Sequence, residues 1–255
     1  MNQEMTAENS PLPYTALSDL TVIKENGYAT EPSLYSQVLR ALPGGIPMAP
    51  FTTPFISFPL DKQTNLVIKR TIDILISLIV IVGVLSWFIP LMALIIKLDS
   101  RGPAFFLQKR NKRNGGVFTC IKFRSMIVNE DADVLPAGKY DRRITRVGRF
   151  IRRNFIDELP QFFNVFWGDM SVIGPRPHML SDNLKYCEAI EHYGMRTRVK
   201  PGITGLAQVL GYVGSTDNPR KMNDRIRMDN FYLRHWTLRL DLVILYRTFL
   251  KTIGL

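Results

Sequence analysis

The sequence predicts a mainly helical α+β protein, in which one membrane helix precedes a small domain with a short β-hairpin and amphipathic interfacial helices. Three observations support this fold class. Residues 74–96 form an uncharged run of 23 residues, long enough as a helix to cross about 30 Å of hydrocarbon. Two short strand-like segments, 105–107 and 117–121, flank a basic turn. Residues 226–253 carry aromatic, leucine and basic side chains at helical spacing.

The first segment, residues 1–64, is predicted to be a flexible, proline-rich tail. Five prolines between residues 43 and 59, beside Gly44 and Gly45, prevent a long helix. No basic stretch followed by a short apolar core opens the chain, so we expect no secretory signal. The two cysteines, Cys120 and Cys187, cannot build a disulfide framework and fit a reducing cytoplasm.

Residues 65–98 form the predicted membrane helix, with a kink at Pro90. Basic residues flank both of its ends, Lys69 and Arg70 before the uncharged run and Lys97 after it. Because positive charge marks the cytoplasmic side, a spanning helix should have asymmetric flanks. These flanks suit a re-entrant helix, which enters one leaflet, bends and returns to the same face. Composition alone leaves the spanning and the re-entrant helix as alternatives.

The net charge of +11 is unevenly distributed along the chain. Residues 1–60 hold 2 basic and 5 acidic residues, whereas residues 97–153 hold 15 basic and 5 acidic residues. Such a basic block suits nucleic acid, anionic lipid head groups or a phosphorylated substrate. No zinc-finger spacing, aromatic-rich strand motif or basic zipper accompanies it, so we expect no nucleic-acid partner.

Within the predicted soluble domain, 99–255, two arginines precede the adjacent carboxylates Asp157 and Glu158. Pro160 suits the first turn of a helix, so the carboxylates should lie at or just before a helix N-terminus. The free N–H groups and the positive end of the helix dipole favour anions there. One carboxylate could attack a phosphate, while the arginines and a metal neutralise the phosphate oxygens. The alternative is an aspartate helix cap with solvated charges, and this segment alone favours it.

A series of sequence blocks, in order, resembles the bacterial sugar transferases, the monotopic phosphoglycosyl transferases. The resemblance runs from Lys69 to the C-terminus. The blocks are Lys69-Arg70-Thr71-Ile72-Asp73, residues 97–103, Gln108-Lys109-Arg110, Lys122-Phe123-Arg124-Ser125-Met126, Asp157-Glu158-Leu159-Pro160-Gln161, residues 168–177 and Lys200-Pro201-Gly202-Ile203-Thr204-Gly205.

The resemblance implies an enzyme at the cytoplasmic face of the bacterial inner membrane, held there by a helix broken at Pro90. It implies transfer of a sugar 1-phosphate from a UDP-sugar to undecaprenyl phosphate, with Mg²⁺ as cofactor and release of UMP. Such a step begins exopolysaccharide or surface glycan synthesis, and downstream glycosyltransferases act next. The oligomeric state stays open, with a homo-oligomer among the alternatives.

The resemblance also assigns roles to particular residues. It makes Asp157 the nucleophile and a metal ligand, and it gives Glu158 a part in metal or proton handling. For every cation the alternative is a surface salt bridge, and Arg124 could equally be structural. The expected substrate-binding residues are Lys122, Arg124, Arg152, Arg176 and Pro177, and those expected to face the lipid phosphate or the membrane are Lys69, Arg70, Asp73 and Pro90.

The transferred sugar is predicted less sharply than the reaction. Residues 175–179 and 229–232 look most like the glucose-1-phosphate branch, whose members usually carry additional N-terminal membrane helices, so this chain resembles a shortened form. It departs from that branch at Leu210 and Val213, which leaves galactose or an N-acetylated sugar open. The rival function is a membrane-anchored, non-catalytic scaffold that binds anionic lipid or nucleic acid, but it leaves the Asp157-Glu158 block unexplained.

Overall fold

The computed structural model describes residues 57–129, 138, 141–213, 219–252 and 254, so most of the predicted tail lies outside the described residues. The mainly helical α+β prediction with small sheets is confirmed. The helices are α1 (Gln63–Val80), α2 (Ser86–Asp99), α3 (Arg146–Arg153), α4 (Gln161–Trp167), α5 (Leu180–Ala189), α6 (Leu206–Val209), α7 (Pro219–Arg234) and α8 (Leu238–Thr252). The strands are β1 (Phe105–Asn111), β2 (Val117–Phe123), β3 (Ser171–Ile173) and β4 (Gly202–Thr204).

One continuous apolar helix, Gln63–Asp99, is formed by α1, a π-helical segment Ile81–Leu85, and α2. It has 37 residues, and only 17% of its most apolar stretch is buried. At 1.5 Å per residue it would be about 55 Å long if straight, well beyond the hydrocarbon core of a bilayer. The helix continues through Pro90, which cannot donate the usual N–H bond to the carbonyl of Ser86. Pro90 lies five residues after the end of the π-helical segment at Leu85. Both features are recognised causes of helix bending.

Strands β1 and β2 pair as the predicted antiparallel hairpin, from Phe105 opposite Phe123 to Asn111 opposite Val117. Strands β3 and β4 form a second, parallel pair. At this pair a β-carbon on Gly202 would lie 2.1 Å from the backbone nitrogen of Gly174, so only glycine permits this close backbone approach.

The main hydrophobic core joins the hairpin to the C-terminal helices. Met170, Leu233 and Ile244 are fully buried in it, and the tail residue Phe58 packs there as well. A second cluster joins Met92 and Ile96 of α2 to Phe123 of β2 and Ile151 of α3. The far end of the apolar helix is therefore packed onto β2 and α3.

Residues 226–253, whose side chains follow helical spacing in the sequence, lie in two helices, α7 and α8, and no single helical face runs through the segment. Trp236 and Ile244 are buried, whereas Phe231 and Phe249 are 47% and 61% exposed. The chain turns at 235–237 between α7 and α8, so helical spacing does not continue across the segment. Helix α8 buries one face in the core, and its other side exposes Leu242, Val243, Tyr246 and Phe249.

Polar side chains fix α1 to the domain. Lys69 Nζ lies 2.7 Å from Asp241 Oδ2, and Asp241 also accepts hydrogen bonds from Tyr232 and Trp236. The Asp73 carboxylate accepts hydrogen bonds from the Ser171 hydroxyl, at 2.9 Å, and from the backbone N–H of Val172, at 2.8 Å. Breaking such buried charged contacts is strongly destabilising. Lys69 and Asp73 thus hold the apolar helix against α8 and β3.

Candidate active site

A tight turn between α3 and α4 carries the two carboxylates. Phe155 adopts the left-handed region, with φ of 57°, which is uncommon for a residue other than glycine. A 3₁₀ turn, Ile156–Glu158, follows, and Pro160 then immediately precedes α4. The sharp change of direction at Phe155 brings the carboxylates back under the end of α3, next to strand β2.

Glu158 is held by two cations. Its Oε1 lies 3.1 Å from Nζ of Lys122, and its Oε2 accepts a 3.0 Å hydrogen bond from Arg176, which also contacts Oε1 through its second terminal nitrogen. Burial alone would raise the pKa of Glu158, but the charges of Arg176 and Lys122 lower it well below its usual range. Glu158 therefore stays a carboxylate and fixes both cations beside Asp157.

Asp157 is the chemically distinctive group of the site. Its side chain is buried, and its carboxylate has no hydrogen-bond partner among the described residues. Burial, and then the negative charge of Glu158, raise the pKa of Asp157 to about 6, against the lowering effect of Lys122, Arg152 and Arg176. A buried carboxylate with both oxygens free, surrounded by cations, suits a nucleophile toward an anionic phosphate.

The structure brings three of the predicted substrate-binding cations, Lys122, Arg152 and Arg176, around this carboxylate pair. Arg152 donates a 3.3 Å hydrogen bond to the Ser125 hydroxyl and is close enough to lower the pKa of Asp157. Pro177, the fifth predicted residue, follows Arg176, and its carbonyl accepts a hydrogen bond from Arg110.

Arg124 lies elsewhere, at the end of the apolar helix Gln63–Asp99. Its guanidinium donates to the carbonyl oxygens of Ser100, at 2.6 Å, and Arg101, at 2.9 Å, and the residue is 5% exposed. These contacts favour the structural role that the sequence left open, and a substrate contact by Arg124 stays a prediction. The predicted lipid-facing residues also lie outside this cluster: Lys69 and Asp73 are the ties described above, Arg70 caps the end of α4, and Pro90 is exposed within α2.

A buried pair that sequence reasoning missed supports the loop of Arg176. Arg196 lies 3.0 Å from Asp229, and it also donates a hydrogen bond to the backbone carbonyl of Arg176. Beside it, His178 is buried and contacts the Tyr193 hydroxyl at 2.7 Å. Burial, followed by the charge of Arg196, lowers the pKa of His178 well below its usual range, so the ring is neutral. The sequence holds no signal that pairs two residues 33 positions apart, although Asp229 lies in the segment 229–232 that resembles the glucose-1-phosphate branch.

Among the described residues no three His, Cys, Asp or Glu side chains converge as a metal site. Glu158 is already bound by its cations, and Asp169 is 3.0 Å from Lys112. Mg²⁺ commonly uses one or two carboxylates, with substrate phosphates and water as its other ligands. The unbonded carboxylate of Asp157 fits that ligand set.

Residues 64–254, which include the Asp157 site, are similar to known proteins. A family model described as bacterial sugar transferase matches residues 64–254. The UDP-glucose:undecaprenyl-phosphate glucose-1-phosphate transferase of Klebsiella pneumoniae is 44% identical over 208 residues, which cover 81% of this chain and 43% of that protein. A protein of the same description from Caulobacter vibrioides is 39% identical over 234 residues, covering 91% of this chain and 82% of the relative.

A relative with a different sugar in its name is also similar. The undecaprenyl-phosphate galactose phosphotransferase of Salmonella typhimurium is 37% identical over 206 residues, covering 74% of this chain and 41% of that protein. The chain thus spans less than half the length of the Klebsiella and Salmonella relatives. The match of residues 64–254 covers every element that builds the Asp157 site, and the chain belongs to the bacterial sugar transferase family.

Proposed function

We propose that this protein transfers a sugar 1-phosphate, from UDP-glucose or UDP-galactose, to undecaprenyl phosphate during exopolysaccharide synthesis. The observation that carries the proposal is the buried, unbonded carboxylate of Asp157 beside the cations that Glu158 holds. The names of the Klebsiella and Salmonella relatives supply the acceptor and the two candidate sugars.

In the first step a carboxylate oxygen of Asp157 attacks the β-phosphorus of the UDP-sugar. The bond from this phosphorus to the bridging oxygen breaks, and UMP leaves with the electron pair. Asp157 needs no general base, because a carboxyl with a pKa of about 6 is mostly ionised at neutral pH. In the second step an oxygen of the lipid phosphate attacks the same phosphorus, which frees Asp157 and yields the sugar diphospholipid.

Lys122, Arg152 and Arg176 overcome the repulsion between the carboxylate and the diphosphate. The guanidinium of Arg176 can form paired hydrogen bonds with phosphate oxygens, and its anchor on Glu158 keeps it in place before the substrate arrives. Mg²⁺, held by Asp157 and the diphosphate oxygens, would neutralise further negative charge.

The same proposal includes a re-entrant apolar helix, which would place the site at the level of the lipid head groups. Both ends of the helix contact the same domain: Lys69 and Asp73 bind α8 and β3, and Ile96 packs on the hairpin. A spanning helix would separate its two ends by the thickness of the bilayer. Contacts of both ends with one domain support a helix that enters and leaves on one face.

Sealed membrane vesicles can test this topology. An epitope tag is placed at each terminus. We expect protease added on the cytoplasmic side of the membrane to digest both tags, and protease added on the opposite side to digest neither. The physical reason is that basic residues lie at both helix ends and favour the cytoplasmic face. A tag at residue 1 that is digested only from the opposite side would establish a spanning helix and refute this part of the proposal.

A panel of donors tests the reaction. We expect the protein in lipid nanodiscs, with Mg²⁺ and undecaprenyl phosphate, to release UMP from UDP-glucose or UDP-galactose and to form a sugar diphospholipid. UDP-N-acetylgalactosamine serves as the comparison donor, and chelation of Mg²⁺ should stop release. Folded protein that releases UMP from none of these donors would contradict the proposal and favour the non-catalytic scaffold.

A further inference from the structure

Two cations converge at the C-terminal end of α4, away from Asp157. Gly168 ends the helix in the left-handed region, with φ of 95°. A β-carbon on this glycine would lie 3.4 Å from Nζ of Lys200 and 3.5 Å from a terminal nitrogen of Arg70. Arg70 also donates to the carbonyls of Val165 and Phe166, which fixes its position. Lys200 and Arg70 are therefore adjacent on one surface of the helix end.

Within the part of the chain that the structure describes, the carboxylates of Asp73 and Asp169 act on Lys200 only from a distance. Its ammonium is half-buried and has no hydrogen-bond or ion-pair partner there. The nearby carboxylates are engaged elsewhere, Asp73 with Ser171 and Val172, and Asp169 with Lys112. Burial, and then the like charge of Arg70, lower the pKa of Lys200. A half-buried cation beside a second cation favours the binding of an anion.

The surroundings of this pair have the composition of a membrane interface. Arg70 lies one helical turn before the uncharged run that starts at residue 74. Trp167 and Phe166, at the same helix end, are 63% and 40% exposed, and Ile68 is 44% exposed. Exposed aromatic residues next to basic residues are typical of the interface between hydrocarbon and water. An anion that reaches this pair from the bilayer would be the phosphate of a lipid.

The pair is separate from the reaction. Asp157 precedes the N-terminal end of α4, whereas Gly168 follows its C-terminal end. Seven helical residues span about 10 Å, too far for a phosphate at Lys200 to contact the phosphorus bound to Asp157.

We propose that Lys200 and Arg70 form a binding site for the phosphate of an anionic membrane phospholipid, separate from the acceptor that reacts at Asp157. The site would fix the depth and tilt of the domain on the bilayer, since Arg70 belongs to the membrane helix and Lys200 to the loop before β4. This inference does not require the transfer reaction and can be tested without it.

The test is native mass spectrometry of the full chain released from nanodiscs of phosphatidylcholine mixed with phosphatidylglycerol. We expect the wild-type protein to retain phosphatidylglycerol in preference to phosphatidylcholine, and Lys200→Gln to bind it about tenfold more weakly, as expected when one charge-assisted hydrogen bond is lost. Lys200→Arg should restore retention. Lys185→Gln, which removes one positive charge from α5, is the matched control and should retain the lipid as the wild type does.

Three results would overturn the proposal. The first is unchanged phosphatidylglycerol retention in Lys200→Gln. The second is an equal loss in Lys185→Gln, which would mean that net charge alone attracts the lipid. The third is a raised KM for undecaprenyl phosphate in Lys200→Gln, which would assign Lys200 to the acceptor. If Lys200→Gln fails to fold, Lys200→Met, which keeps the length of the side chain, takes its place.

Discussion

Replacing Asp157 with asparagine is expected to abolish UMP release, with a loss of at least about 10⁴-fold, as for other enzymes that lose their nucleophile. Asparagine keeps the shape of the side chain but cannot form the phosphoryl bond. The wild-type protein, incubated with UDP-sugar and no acceptor, should gain the mass of one sugar phosphate, and Asp157→Asn should not. Asp224→Asn, which removes a carboxylate from α7, is the control. Near-normal UMP release by Asp157→Asn would disprove the covalent mechanism.

The same substitution should make the protein more stable at neutral pH. Because the folded-state pKa of about 6 exceeds the unfolded value of about 3.9, the proton binds the folded state more tightly. The stability that the folded protein gains from binding this proton is fully present below about pH 4, and it is lost as the pH rises through about 6. Above pH 6 the ionised Asp157 therefore destabilises the protein, by on the order of 1–3 kcal/mol, whereas asparagine stays neutral. Thermal unfolding at pH 7.5 should show a higher midpoint for Asp157→Asn, and the difference should shrink toward pH 4.

The parts of the site that could be predicted from the sequence are those that depend on short-range signals. Pro160 and the adjacent carboxylates indicate a turn before a helix, and the structure contains that turn. The uncharged run and the hairpin likewise depend on local composition and spacing. The reaction itself was predicted by the resemblance, since the segment of Asp157 and Glu158 alone favours an ordinary helix cap.

The rest could not be predicted, because it depends on contacts between residues far apart in the chain. Lys69 carries a charge that suits a lipid phosphate, but its partner Asp241 lies 172 positions away. Arg124 and Arg176 are alike as residue types, yet one binds carbonyls at the end of α2 and the other binds Glu158. The turn at 235–237, which separates α7 from α8, could not be predicted either, because helical spacing cannot show where a helix stops without a strong breaker.

Replacing Arg176 with alanine is expected to lower kcat/KM by about 10²–10³-fold, the effect of removing one group that stabilises charge in a transition state. Arg176 is the group that should bind the diphosphate while it anchors on Glu158.

The loss of Arg176 would also change the pH dependence of kcat/KM. In the wild type, kcat/KM should fall tenfold per pH unit below about pH 6, because protonated Asp157 cannot attack. Since the charge of Arg176 lowers the pKa of Asp157, this acid limb should move to higher pH in Arg176→Ala.

Two further variants separate charge from geometry at Arg176. Arg176→Lys keeps the positive charge, so its acid limb should stay near that of the wild type, while its rate stays low because lysine lacks the paired donors of a guanidinium. Arg149→Ala removes an exposed arginine from α3 and should change neither the rate nor the limb. If the limb of Arg176→Ala coincides with that of the wild type, the group that titrates is not Asp157. The chemistry would then have to be reassigned, because no other described carboxylate is held beside Lys122 and Arg176 with its oxygens free.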